Sequence, residues 1–316
     1  MIKSKVLVTL SSRLLLAIFL PFGFVTAQTR PQPVTDTLTH PFELKNGDRV
    51  VFVGNSLFEN DFQYGYLELA LTTRWPDRDV TYRNLGWSGD NVFGVARSTI
   101  TNPPTGYELL MEHLTKTKPT VVFVGYGGIE AEEGESGLPR FKEGLTKLID
   151  KIDQLGARAV LLSPIPILSA DSSQTKRNAM LQLYAATIAK TAAERSKRYI
   201  DLFKPIQEVG KTVRLTENGI HLNETGYYYL ATTLEKSLGL PSRTRPVTIT
   251  VSKAAATTST PAKILDSGNR DATLTFSMDE PYLPLPPPVD KAAISDPGQI
   301  IKITGLKKGF YTLTAD

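Results

Sequence analysis

Five short apolar runs decide most of what this chain can be. Arg49–Gly54 (RVVFVG), Val80–Leu85 (VTYRNL), Thr120–Gly125 (TVVFVG), Arg158–Ser163 (RAVLLS) and Tyr199–Phe203 (YIDLF) are each about one strand long. The first, third and fourth scarcely alternate, so both faces of each must be buried, the mark of strands inside a parallel sheet. Parallel neighbours need long crossovers, and the segments between the runs have helical spacing. That spacing predicts helices over Asp61–Trp75, with Phe62, Tyr66, Leu69 and Ala70 on one face, and over Tyr107–Lys116, Lys176–Ser196 and Glu224–Leu238. Another is bounded by Pro139 at its start and Gly156 past its end, with a stripe of Phe141, Leu145, Leu148, Ile149 and Ile152. Strand and helix in alternation call for an α/β fold. A parallel sheet carries helices on both faces, and ligands bind at the carboxyl ends of its strands.

The flanks read differently. Met1–Lys5 carries two lysines, an apolar stretch follows to Val25 with Arg13 inside it, and Val25-Thr26-Ala27 offers a small-residue cleavage site before Gln28. Residues 1–27 therefore read as a signal peptide, with an uncleaved anchor as the alternative. The expectation is a secreted or periplasmic protein that meets a membrane only through that segment. Residues 28–47 read as an extended lead-in and 48–240 as the α/β domain. Residues 241–316 read as a small β-rich extension. In it, RPVTITVS and DATLTFSM alternate like strands, YLPLPPPVD is too proline-rich for a sheet, and QIIKITGLKKGFYTLTAD reads as a β-hairpin. The pattern stops in mid-strand at Asp316, which reads as truncation or as an appendage completed by something else.

Composition removes several chemistries. With no cysteine, disulfides, thiolate metal sites and thiol nucleophiles are excluded. Lys3, Lys5 and Arg13 belong to the leader; without them 33 bases face 32 acids, a balance that gives nucleic acid no electrostatic footprint.

Four polar stretches fall where such a sheet places its functional loops. They are Gly54-Asn55-Ser56-Leu57, Asn84-Leu85-Gly86-Trp87-Ser88-Gly89-Asp90, Gly125-Tyr126-Gly127-Gly128-Ile129-Glu130, and Glu217-Asn218-Gly219-Ile220-His221-Leu222. In this order and at these positions they resemble the SGNH (GDSL-like) hydrolase family over roughly residues 48–240. The resemblance implies a flavodoxin-like three-layer α/β/α sandwich around a five-stranded parallel sheet, and an esterase that needs neither metal nor cofactor. It implies Ser56 as nucleophile, His221 as general base, and the backbone N–H groups of Ser56 and Gly89 as oxyanion donors. Two positions depart from the family. Ile129 stands where an asparagine side chain completes the oxyanion hole, and Asn218 stands where an aspartate orients the histidine. Glu217 is the nearest carboxylate that could take the latter role, and Asn91 is a candidate replacement donor. Trp87 could stack on a sugar ring.

Each residue also has a plainer reading. Ser56 could cap the following helix, Gly89 could serve only a turn, and Asn223 reads as the cap of the last helix. The acidic run Glu130, Glu132, Glu133 and Glu135 reads as solvated surface. Taken together, the sequence points to a secreted serine esterase that forms an acyl-enzyme and acts on small-molecule or glycan esters, carbohydrate O-acetyl esters among them. The alternative is a catalytically weak or inactive domain of the same fold that binds glycans or partners.

Overall fold

The computed structural model describes residues 41–99, 103–169, 173–243, 247–251, 256–258, 263–270, 273–279, 282–290, 294, 300–306 and 308–312. The chain divides into two compact units; Met1–Arg30, with the leader reading, lies outside the described residues, as do 31–40 of the lead-in.

Strand β1 (Arg49–Gly54) leads into α1 (Ser56–Glu59), a 3-10 turn (Asn60–Gln63) and α2 (Tyr66–Arg74). After β2 (Thr81–Gly86) come a 3-10 segment (Val95–Thr99) and α3 (Gly106–Lys116). After β3 (Val121–Gly125) come two 3-10 turns (Glu130–Glu133, Glu135–Gly137) and α4 (Leu138–Gln154). Strand β4 (Arg158–Leu162) precedes α5 (Gln174–Glu194), and β5 (Arg198–Ile200) precedes α6 (Phe203–Val209) and α7 (Glu224–Ser237). All five strands are parallel in the order β2-β1-β3-β4-β5, the flavodoxin-like winding.

The period-2 geometry of the strands explains the two cores. Val50, Phe52, Val121, Phe123, Val160 and Leu162 face one way and pack with α1, α2 and α7. Val51, Val53, Val122, Val124, Ala159 and Leu161 face the other and pack with α3, α4 and α5. Burial on both sides is why these runs do not alternate.

Local chemistry sets the boundaries. Thr105 and Glu108 form a capping box on α3, and Asn223 Oδ1 accepts from Gly226 N at 2.8 Å to cap α7. Pro139 lies in the first turn of α4, and Gly156, at φ +71°, follows its end.

Three expectations fail. The helix over Asp61–Trp75 begins only at Tyr66, because Gly65 takes a left-handed φ of +68° and Asp61 caps the N–H groups of Tyr66 and Leu67. Phe62 is thereby thrown outward and stands exposed instead of on the buried stripe. The fifth strand ends at Ile200, and Phe203 opens α6. In the extension, β6 (Val247–Val251), β7 (Ala256–Thr258) and β10 (Ile301–Thr304) form one sheet, and β8 (Lys263–Arg270) pairs with β9 (Thr273–Asp279). Strand β10 pairs in parallel with β6, and among the described residues that follow it no hairpin partner strand appears. The proline segment Tyr282–Asp290 contains no strand and lies on the α/β domain, where Leu285 is buried and Leu283 N donates to Thr73 O at 2.9 Å.

Candidate active site

The site begins with three glycines. A side chain on Gly54 would meet Gly125 O at 2.5 Å, one on Gly86 would meet Glu59 N at 2.4 Å, and one on Gly125 would meet the Phe58 ring at 2.7 Å. Only bare backbone at the ends of β1, β2 and β3 lets α1 sit directly on the sheet, with Phe58 as its buried floor. That close seat brings Ser56, the first residue of α1, to the carboxyl end of β1.

Ser56 does not cap its helix. The cap is Asn55, whose Oδ1 accepts from Leu57 N at 3.1 Å and whose carbonyl accepts from Phe58 N and Glu59 N. The Ser56 N–H is an orphan donor of the first turn, and the half-buried Ser56 hydroxyl makes no hydrogen bond among the described residues.

The second loop is tied to this turn at two points. Trp87 N donates to Gly54 O at 3.0 Å, and Ser88 N donates to Glu59 Oε2 at 2.8 Å. Asp90 N closes a turn on Trp87 O at 3.0 Å, and within it Gly89 has φ +76°, a conformation only glycine adopts without strain. The Gly89 N–H has no acceptor among the described residues. Trp87 is 40% exposed, and the Arg97 guanidinium lies 5.4 Å from the centre of its ring.

Beneath Gly89 the loop is held by buried charge. Asp90 and Arg97 pair at 2.7 Å with both side chains out of water, Tyr126 OH donates to Asp90 at 3.1 Å, and Arg97 Nη2 donates to Leu85 O at 2.6 Å. Burial, with the Asp90 carboxylate second, pushes the Tyr126 phenol far above its ordinary range.

Glu130 overturns the expectation of a solvated acidic run. It is 2% exposed, and its two carboxylate oxygens accept from Val92 N at 2.9 Å and Gly127 N at 2.8 Å, stitching the second loop to the third. Burial raises its pKa. Glu132 and Glu133 do behave as surface groups, pairing with Arg177 and Arg140. Among the described residues no acidic or histidine cluster could hold a metal.

Ile129 is 38% exposed on the third loop and brings no donor. Asn91 Oδ1 accepts from Phe93 N at 3.0 Å and Val95 N at 3.4 Å, so Asn91 closes its own turn.

The fourth loop meets the first through two tyrosines that the sequence analysis does not single out. Tyr227 OH donates to Leu57 O at 2.9 Å. Tyr64 lies against the Tyr227 ring at 5.5 Å, and its hydroxyl reaches Glu217 Oε1 at 3.5 Å. Burial first, then the Glu217 carboxylate, raises the Tyr64 phenol. The available signal was tyrosine, not phenylalanine, within an apolar stripe, since a buried hydroxyl needs a partner. On its other side the loop is anchored by Leu168 N donating to Gly219 O at 2.7 Å.

These ties fasten Glu217 and α7 to the segment around and after Ser56, and no hydrogen bond joins Ser56 to His221 among the described residues. His221 is exposed. Asn218, not Glu217, meets its ring, with Asn218 Nδ2 3.3 Å from Nδ1. The orientation of that amide is settled by its other end: Asn218 Oδ1 accepts from His221 N at 2.9 Å and Ile220 N at 3.1 Å. The NH2 group therefore faces the ring, Nδ1 must accept, and the ring proton sits on Nε2.

The sequence pattern of the GDSL-like lipase/acylhydrolase family matches residues 52–229. No curated protein sequence matches the chain. Among solved structures, a gut microbial diltiazem-metabolizing enzyme is similar at 19% identity and a TM-score of 0.60, over 74% of this chain. This chain spans only 56% of that enzyme's length. Axe2, an acetylxylan esterase from Geobacillus stearothermophilus, is similar at 18% identity and a TM-score of 0.52, over 64% of this chain and all of its own. Catalytic mutants of Axe2 replace a serine, an aspartate or a histidine. At these identities the structural likeness speaks for the fold, and the family match over more than half of the chain speaks for kinship: this protein belongs to the GDSL-like lipase/acylhydrolase family.

Proposed function

We propose that the protein hydrolyses esters by acyl transfer through Ser56. The observation that carries this reading is that the backbone N–H groups of Ser56 and Gly89, neither with an acceptor among the described residues, lie on loops fastened to each other at Trp87 and Ser88. Donors fixed before the reaction are what a developing oxyanion requires. In the proposed mechanism the His221 ring leaves its contact with Asn218 and carries its own proton on Nδ1; Ser56 Oγ then attacks the ester carbonyl and its proton passes to Nε2. The tetrahedral intermediate collapses, and the protonated imidazole returns the proton to the leaving alcohol. His221 then activates water to release the acid.

The acetylxylan activity named for Axe2 and the half-exposed Trp87 indole favour a carbohydrate O-acetyl ester as substrate. The leader-like residues 1–27 favour an exported protein. The test is release of p-nitrophenol from p-nitrophenyl acetate by the purified protein and by Ser56→Ala. Turnover that disappears with the hydroxyl is expected, and equal rates would remove the reading. Acetate release from acetylated xylo-oligosaccharides then checks the substrate class.

A second reading, a weak or silent member of the family that binds esters or glycans, is favoured by the amide at Asn218. With the proton on Nε2, the imidazole cannot accept one there from a serine, and a carboxylate-to-amide change in a serine triad costs about 10⁴ in rate for this reason.

A further inference from the structure

A pocket of about 440 Å³ lies away from the Ser56 loops, where the end of α2 meets the start of the α/β domain. Phe42, Trp75 and Tyr282 line it, together with the charged groups Arg74 and Glu43. The Arg158 and Arg198 guanidinium groups, on the first residues of β4 and β5, lie 5.2 Å and 5.9 Å from the Phe42 ring. The pocket is therefore at the amino-terminal end of the sheet, opposite the candidate active site. Its volume is that of a small-ligand site.

Arg74 is 3% exposed. Its Nε and Nη2 donate to Glu235 at 2.9 Å and 3.0 Å, whereas its Nη1 is buried with no hydrogen-bond partner. Arg243 uses the same carboxylate, its Nε 3.0 Å from both oxygens. Two guanidinium groups thus share one carboxylate, and the cluster keeps one positive charge with its side chains largely out of water. Among the described residues no other carboxylate pairs with Arg74 or Arg243. Glu43 is exposed and pairs with Arg78 at 2.7 Å. A buried cation short of counter-charge is costly, and a carboxylate supplies both the missing charge and an acceptor for the idle N–H.

The walls add a second requirement. The Arg74 guanidinium lies over the Tyr282 ring, 4.6 Å from its centre. Trp75 is half-buried, edge-on to Phe42 with ring centres 6.2 Å apart. Tyr282 is held here by the proline segment, whose Leu283 N donates to Thr73 O at 2.9 Å and whose Leu283 O accepts from Arg243 Nη1. Aromatic side chains beside a guanidinium suit a ligand that has a ring as well as an anion.

We propose that this pocket is a second binding site, which takes a carboxylate carried on a ring. That chemistry is shared by a uronic acid residue of a glycan and by a small aromatic acid. The carboxylate pairs with Arg74, and the ring lies against Tyr282 and Trp75. The site stands apart from the acyl-transfer reading and does not depend on it.

Trp75 supplies the readout, because the chain has two tryptophans and the other, Trp87, is at the Ser56 site. In the full chain carrying Trp87→Phe, tryptophan fluorescence reports the pocket alone. That protein is titrated with methyl glucuronide and benzoate, and with their neutral counterparts methyl glucoside and benzyl alcohol, each titration repeated by calorimetry. A saturable change with a Kd on the order of 1 mM or tighter is expected for at least one acid, and binding at least about tenfold weaker for its neutral counterpart. Which acid binds identifies the source of the carboxylate. Arg74→Lys keeps a cation for Glu235 but removes Nη1, and Tyr282→Ala removes a wall at a half-buried position. Each is expected to weaken binding of the acid at least about tenfold, with the melting temperature of Tyr282→Ala close to the parent's. Equal affinity for an acid and its neutral counterpart would overturn the site, as would parental affinity in both variants. So would the lack of any saturable signal, by fluorescence and by calorimetry, at about 50 mM of either acid.

Discussion

Around Ser56 and Gly89, charged groups are taken out of water and each meets a partner: Asp90 with Arg97 and Tyr126, and Glu130 with two backbone N–H groups. Around His221 the ring stands in solvent, its neighbour is an amide, and the nearby Glu217 carboxylate is turned to Tyr64. The difference teaches which half of the site can change cheaply. Removing one member of a buried charged network strands the other, at a cost of several kcal/mol. Replacing a carboxylate by an amide on an exposed loop alters the chemistry and leaves the fold standing. The Ser56–Gly89 half is built into the core, while the surroundings of His221 are set by one side chain.

The sharpest way to test that contrast is Asn218→Asp. One carboxylate oxygen would keep the bonds from His221 N and Ile220 N, and the other would accept from Nδ1–H and free Nε2 as the base. A rise in kcat on the order of 10² to 10⁴ is expected, with the melting temperature nearly unchanged. A flat rate would show that the base half is not limiting.

Asp61, on the Ser56 side, gives a pH signature. Burial, opposed by hydrogen bonds from Leu67 N and Tyr66 N, pushes its carboxyl from an ordinary 3.8 to about 7. The unfolded chain gives up this proton near its ordinary pKa, whereas the fold keeps it until about 7. Stability from this group is therefore greatest at the acidic end, falls as pH rises from about 4 to 7, and is level above that. The change amounts to roughly 4 kcal/mol at most. Asp61→Asn is expected to flatten that slope in melting temperature against pH, and an unaltered slope would assign it to other groups.

Smaller still is Glu130→Gln. The amide can accept from Val92 N or Gly127 N but not both, leaving one buried N–H without a partner at about 1–3 kcal/mol. A lower melting temperature should accompany a fall in kcat with little change in KM, because the stitch carries the loop that bears Gly89. A change in stability alone would confine Glu130 to the scaffold.

Much of the fold was legible because burial on two faces leaves a plain trace. RVVFVG became β1 at exactly its expected limits, and Asn223 was readable as a cap from its place before an apolar stripe. Phe62 was not, since a helical period continues through residues that Gly65 and Asp61 exclude from the helix. The parallel pairing of β10 with β6 was not, because strand signals carry no partner. Within the candidate site, Ser56, Gly89 and His221 were singled out through the resemblance of their loops to the family. Glu130 was hidden among three other glutamates, and nothing in a run of like residues says which one turns inward.

Sequence by itself determined the layered α/β architecture, the loops that gather at one edge of the sheet and the two unusual residues, Ile129 and Asn218. Those follow from side-chain periodicity and identity, which are local. Tertiary structure alone decided which glutamate is buried, which end of the Asn218 amide faces His221, and that the Asn55 carboxamide, not Ser56, caps α1. Each of these depends on hydrogen-bond partners brought from other parts of the chain, and direction in space is a property that no linear spacing records.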